Sequence, residues 1–149
     1  MFMTSRRLLG TALLATAVLA GCSDDDGDDG DTTPTNVAGT YTMSAVNGGA
    51  LPGTTEIIPG GGRVEITSGT FVLRDNRTYT ETLNTRTVTA GGAATTNTQT
   101  ENGSYAINGN SIIFTIPATS AEAAFSYEGT ISGNTLTYVF AGAAITYTK

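Results

Sequence analysis

Glu81 and Glu101 are the two residues of this chain best placed to act on the same atoms, because each stands ten positions from Gly91, on opposite sides of it. Ala90-Gly91-Gly92 is a turn signal, and a hairpin centred on Gly91 sets the two carboxylates directly opposite one another. Glu81 shares its phase with Tyr79 and Leu83, while Gln99 and Glu101 share theirs with Tyr105. Both carboxylates then face the interior, where like charges are costly and one takes up a proton or both reach water. The alternative is a β-bulge that shifts the phase and turns one of them outward. Two facing carboxylates are the equipment of a glycosidase, but nothing in the sequence supplies the long, aromatic-lined cleft that such an enzyme needs.

The rest of the catalytic repertoire is missing. There is no histidine and one cysteine, so Ser-His-Asp and Cys-His arrangements and the usual zinc sites cannot be assembled. Gly60-Gly61-Gly62 is no phosphate cradle, since no helical pattern follows whose N-terminus could meet an anion. The expectation is a protein that is not an enzyme and carries neither metal nor cofactor. Nucleic acid is not an expected partner either: from Pro34 onward seven acids face five bases, Arg63, Arg74, Arg77, Arg86 and Lys149.

The single cysteine, Cys22, has a different setting. Arg6 and Arg7 precede the apolar run Leu8 to Ala20, which has the layout of an export signal and is too short to span a bilayer. It ends in Leu19-Ala20-Gly21-Cys22, which resembles the lipobox of bacterial lipoproteins. That resemblance implies that residues 1–21 are a signal peptide, that the Cys22 thiol carries diacylglycerol, and that the new amino terminus is acylated. Two or three acyl chains hold firmly where one does not. Ser5-Arg6-Arg7-Leu8-Leu9 also resembles a loose twin-arginine signal, so either export route fits. Ser23 is not the aspartate that favours inner-membrane retention in enterobacterial lipoproteins, which makes an outer-membrane or surface location in the cell envelope the favoured one.

Six of the thirteen acids lie within Asp24 to Asp31. A calcium loop is not their pattern, because counting from Asp24 the sixth and twelfth places hold Asp29 and Thr35 where glycine and glutamate are required. Like charges among glycines extend and stay hydrated, so residues 22–36 are expected to be a lipidated foot and an acidic, flexible linker. The net charge of −6 therefore belongs largely to the linker.

The remaining stretch, 37–149, must position whatever Glu81 and Glu101 do. Its pattern is short runs of period two with no sustained helical period. The inward sets are Tyr41 and Met43; Val64 and Ile66; Phe71 and Leu73; Tyr79 and Leu83; Tyr105 and Ile107; Ile112, Phe114 and Ile116; Phe125, Tyr127 and Ile131; Leu136, Tyr138 and Phe140; Ile145 and Tyr147. Turns fall at Asn47-Gly48, Asp75-Asn76, Asn108-Gly109 and Gly133-Asn134. Leu51 to Gly62 and Thr119 to Ala123 are read as loops. The fold class is all-β: an antiparallel up-and-down meander of eight or nine strands, which avoids open edges most simply by closing into a small barrel.

Gly39-Thr40-Tyr41, "NGGALP", "LRDNRTYT", "GSYAINGNSIIFT" and "EGTISGNTLTYVF" together resemble the lipocalin-like domains of small bacterial lipoproteins. True lipocalins open with Gly-x-Trp, whose Trp closes the barrel floor against a late basic residue; here Tyr41 stands in the Trp position and Lys149 is the terminal base. The resemblance implies a small hydrophobic or amphipathic ligand inside the barrel. The residues expected to line its site are Tyr79, Glu81, Glu101, Tyr105, Phe114 and Tyr138, at a mouth between the two loops. Against this stands a barrel filled by its own side chains, serving as a non-catalytic structural or protein-interaction module of the envelope with a partner the sequence does not name.

Overall fold

The computed structural model describes residues 36–140 and 142–149. The expectations for the signal segment, Cys22 and the linker up to residue 35 lie outside the described residues. Nine strands follow in order: β1 (Gly39–Val46), β2 (Gly53–Ile58), β3 (Gly62–Leu73), β4 (Thr78–Val88), β5 (Ala94–Asn108), β6 (Ser111–Ile116), β7 (Phe125–Ser132), β8 (Thr135–Phe140) and β9 (Ala143–Thr148). All pairings are antiparallel, and the sheet runs β1-β9-β8-β7-β6-β5-β4-β3-β2 with β1 also paired to β3. That last pairing, Gly39 with Leu73 through Thr42 with Thr70, closes eight strands into a barrel and leaves β2 as an extra strand.

Turn chemistry sets the registers. Asn47 and Gly48 both adopt positive φ, 52° and 74°, the requirement of a tight primed turn, and Val46 and Gly49 bond each other across it. β5 to β6 and β7 to β8 are joined by the two-residue loops Gly109-Asn110 and Gly133-Asn134, with glycine at positive φ first.

Two readings of the sequence need correction. Leu51 to Gly62 is not all loop, because Gly53 to Ile58 pairs with the first half of β3 as β2. The flanking proline and glycines hide it, and Gly53 fits only because a side chain there would collide with Val46. Secondly, Val64-Ile66 and Phe71-Leu73 belong to one strand. A bulge between Ile66 and Ser68 inserts Thr67 and moves the inward phase from even to odd positions, so Ile66, Phe71 and Leu73 are all buried.

One end of the barrel is closed. Val37, Tyr41, Leu73, Tyr105, Ile112, Ile131 and Leu136 are buried there. The Tyr41 hydroxyl donates to the Val37 carbonyl at 2.8 Å, and the Lys149 ammonium lies 5.3 Å from the Tyr41 ring centre while donating to the Asn36 and Ala38 carbonyls. Tyrosine and lysine thus perform the closure expected of them. Above this floor Phe71 stacks on Tyr79 at 5.1 Å and meets Phe114 at 4.8 Å, and Phe114 in turn touches Tyr127 at 5.1 Å. These rings fill the waist of the barrel.

Phe71 and Phe114 are fully buried and share this cluster, so truncation cannot be absorbed by one neighbour. Phe71→Ala is expected to destabilise the barrel by about 3–5 kcal/mol in urea unfolding. A loss below about 1 kcal/mol would show that the waist is loosely packed.

Candidate functional site

Glu81 and Glu101 face each other across the β4–β5 ladder, at one rung of a register that runs without interruption from Thr78–Ser104 to Val88–Ala94. No bulge intervenes, and both carboxylates are on the inner face. Residues directly opposite in such a pair have Cβ atoms about 4.5–5.5 Å apart.

Tyrosines from four strands converge on the two acids. Tyr138 of β8 and Tyr147 of β9 both donate their hydroxyls to Oε1 of Glu81, the latter at 2.5 Å. Tyr79 of β4 and Tyr127 of β7 donate to Oε1 of Glu101 at 2.5 and 2.9 Å. Glycine makes room for two of these reaches. A side chain at Gly69 would lie 2.8 Å from the Tyr147 hydroxyl, and one at Gly103, directly opposite Tyr79, would lie 2.7 Å from its ring. The tyrosine is packed down onto the bare backbone, and its hydroxyl arrives at the acid.

Burial pushes the Glu81 carboxyl above its ordinary value, against the opposing pull of the Tyr138 and Tyr147 hydroxyls, and the neighbouring Glu101 charge adds to the rise. The four hydroxyls are raised too, chiefly by burial, and so stay protonated as donors. The other buried acid, Glu65, contrasts with this pair. It bonds Arg63 at 2.6 Å and Arg86 at 2.8 Å on the outer face, and those arginines hold its carboxyl below the usual range.

Directly beside the clamp is a cavity of about 820 Å³. Glu81, Glu101, Tyr127 and Tyr138 form its polar side, with Gln99 and Thr100 next to them. Leu83, Ile116, Phe125, Val139 and Phe140 form its apolar side. Phe125, Val139 and Phe140 are 60%, 64% and 53% exposed, so the cavity opens to the surface at the end opposite the Lys149 floor. The open end exists because β5 runs fifteen residues and carries the β4–β5 hairpin past the end of β6, whose pairing with β5 stops at Ser104–Thr115, leaving Gln99 exposed.

The candidate site residues fall into three places. Glu81, Glu101 and Tyr138 line the cavity; Tyr79 reaches Glu101 from the aromatic waist without lining it. Phe114 is buried in the waist, and Tyr105 is at the closed end, donating to the Arg74 carbonyl at 2.7 Å with Arg77 over its ring. Nothing in Leu51 to Gly62 lines the cavity, although β2 is at the same end. Phe125 and Phe140, expected to point into the core, are rim residues. Tyr127 and Tyr147 were legible only as apolar positions. The missed signal was their identity: several inward tyrosines in a small barrel require polar partners, and the inward glutamates are the available ones.

Comparison with known proteins gives the same fold. A family model described as a lipocalin-like domain matches residues 37–138. The chain belongs to the lipocalin-like family. No curated protein and no solved structure matches it. Lipocalin-like domains are generally non-catalytic binding folds, and a barrel with an open, half-apolar cavity is consistent with ligand binding.

A raised Glu81 means that the folded protein holds this proton more tightly than the unfolded chain does. Its contribution to stability is therefore full below its ordinary value of 4.5 and declines as the pH rises through the raised one. Glu65 has the opposite sign, contributing above 4.5 and losing that contribution in acid. With no histidine in the chain, a falling melting temperature between pH 4.5 and neutrality is expected to come from Glu81. Glu81→Gln keeps an acceptor for both tyrosines, and should flatten that slope and melt no lower than wild type at neutral pH. An unchanged slope in the variant would show that Glu81 is ionised without cost.

Proposed function

We propose that this protein is a binding lipoprotein of the cell envelope, held to a membrane through lipid on Cys22 and taking one small hydrophobic or amphipathic molecule into the mouth of its barrel. The observation that carries the reading is the cavity. Its volume of about 820 Å³ falls within the roughly 300–1,000 Å³ of small-molecule sites, and it has their usual makeup of apolar wall and a few convergent polar groups. The family supports it as well, since lipocalin-like domains bind small molecules in this part of the fold. Catalysis is no part of the proposal.

The anchor rests on Leu19-Ala20-Gly21-Cys22 and the export-type segment before it. The barrel geometry suits a tether: Asn36 and Val37 join the barrel at the closed end, where Lys149 donates to the Asn36 carbonyl and Tyr41 to that of Val37. An outer-membrane address belongs to the same proposal.

A structural or protein-interaction role is the second reading, and the solid aromatic waist with the exposed patch of Phe125, Val139 and Phe140 favours it. A neutral fluorescent naphthylamine probe separates the two. Wild-type protein is expected to bind it, and Val139→Trp, which lays a large ring over the rim at an exposed position, to weaken binding about tenfold with little change in melting temperature. Absence of probe binding by the wild type would leave the interaction reading standing. For the anchor, Cys22→Ala is expected to abolish acyl labelling and to give an uncut or soluble product; a variant still processed normally and found with the membranes would overturn the lipid anchor.

A further inference from the structure

The Glu81–Glu101 pair is the one part of the cavity whose charge the protein leaves unmatched. Each carboxylate accepts both of its tyrosine bonds on Oε1, and no described residue donates to either Oε2. Glu81 is only 7% exposed, yet it lines the cavity. Among the described residues, every base is occupied elsewhere. Arg63 and Arg86 pair with Glu65, Arg74 donates to Thr80, Arg77 covers Tyr105 and Lys149 seals the floor. Tyrosine hydroxyls spread the negative charge but do not cancel it.

The apolar part of the lining limits what could supply the missing charge. A metal ion would need oxygen or nitrogen donors on several sides, and beyond the acids, their tyrosines, Gln99 and Thr100 the cavity is lined by Leu83, Ile116, Phe125, Val139 and Phe140. An anionic amphiphile would set a third negative group against two carboxylates. A neutral lipid would fill the apolar side and leave the pair as it is. Only a molecule with a positive head and a hydrocarbon body satisfies both halves. The rings of Tyr127 and Tyr138, whose centres are 5.4 Å apart beside the acids, add aromatic faces for an ammonium.

Resting on the reading of this cavity as a ligand site, we propose that its ligand is a cationic amphiphile, an alkylammonium whose head lies between Glu81 and Glu101 and whose chain runs out over Phe125, Val139 and Phe140. Head and tail are recognised separately. The acids choose the charge, and the rim tolerates different chains because its apolar residues are exposed and make no directional contacts.

The test is a calorimetric titration of three chain-matched compounds below their micelle concentrations: decylammonium, decanol and decanoate. The protein is the mature chain from residue 22 to Lys149 carrying Cys22→Ala, made without its lipid. Decylammonium is expected to bind about tenfold or more tighter than decanol, the scale of a charge-assisted contact, and decanoate weakest of all. Raising the salt concentration should erode the preference for the amine while leaving decanol unaffected. Glu101→Gln, at the more exposed of the two acids, should lower decylammonium affinity about tenfold and shrink its preference over decanol, with a thermal melt verifying that the variant is folded. Equal binding of the three compounds by wild type, or preference for decanoate, overturns the cationic ligand while the cavity stands. Failure of all three to bind overturns the cavity reading and this inference with it.

Discussion

A carboxylate taken out of water must be given partners or neutralised, and the upper half of this barrel is arranged around that requirement. Isolated, a buried Glu81 would cost several kcal/mol. Here two tyrosine hydroxyls meet it, and hydrogen bonds to a charged group contribute about 1.5–3 kcal/mol each. The donors come from β8 and β9, on the far wall from β4, so satisfying Glu81 joins strands that share no ladder. Tyr127 of β7 does the same for Glu101 of β5. The network thus works as a brace across the barrel as well as a charged surface. Its position explains the two glycines, Gly69 and Gly103, that a strand would otherwise avoid, since each vacates the space through which a tyrosine reaches its acid.

The brace also divides the interior. Below it, Phe71, Phe114 and the tyrosine rings pack against one another, and the floor is sealed by Tyr41 and Lys149. Above it, β4 and β5 continue past the ends of β6, β7 and β8, and the inner face has no opposing wall to pack against. A barrel with few aromatics cannot fill both halves, so the packing energy is concentrated toward the end that Tyr41 and Lys149 seal and the other end is left open. Whether such a barrel is filled or hollow has no single answer here. It is filled to the level of Glu81 and open beyond it.

Much of this was legible in the sequence, for reasons that can be traced to particular residues. The pairing of Glu81 with Glu101 follows from a turn centred on Gly91 and a ladder without bulges, where register is arithmetic. The Tyr41–Lys149 closure is what the resemblance of Gly39-Thr40-Tyr41 to the lipocalin Gly-x-Trp opening implies, with Lys149 as the late base. Failure came where one inserted residue changes phase, as at Thr67, since a bulge leaves no mark in the hydrophobic pattern. β2 failed for a related reason: it is an extra strand flanked by proline and glycines, and its two apolar side chains, exposed Ile57 and half-buried Ile58, are adjacent rather than alternating. The cavity was the hardest to see. It depends on which strands are longer than others, and Phe125 and Phe140 have the inward phase of core residues while lying beyond the point where the core ends.

That last distinction bears on how binding would arise in a fold of this size. An inward residue near the middle of a strand is buried by its opposite wall, whereas the same residue one or two pairs further along meets only solvent or a ligand. Lengthening the β4–β5 hairpin therefore converts core chemistry into site chemistry without changing residue types. The acids lie at that boundary, with Glu81 almost wholly buried and Glu101 partly open. Their Oε1 atoms face the brace and are satisfied by it, and their Oε2 atoms have no donor among the described residues. One pair of side chains thus serves stability on one side and recognition on the other, which ties any change in the charge of the mouth to the strength of the brace beneath it.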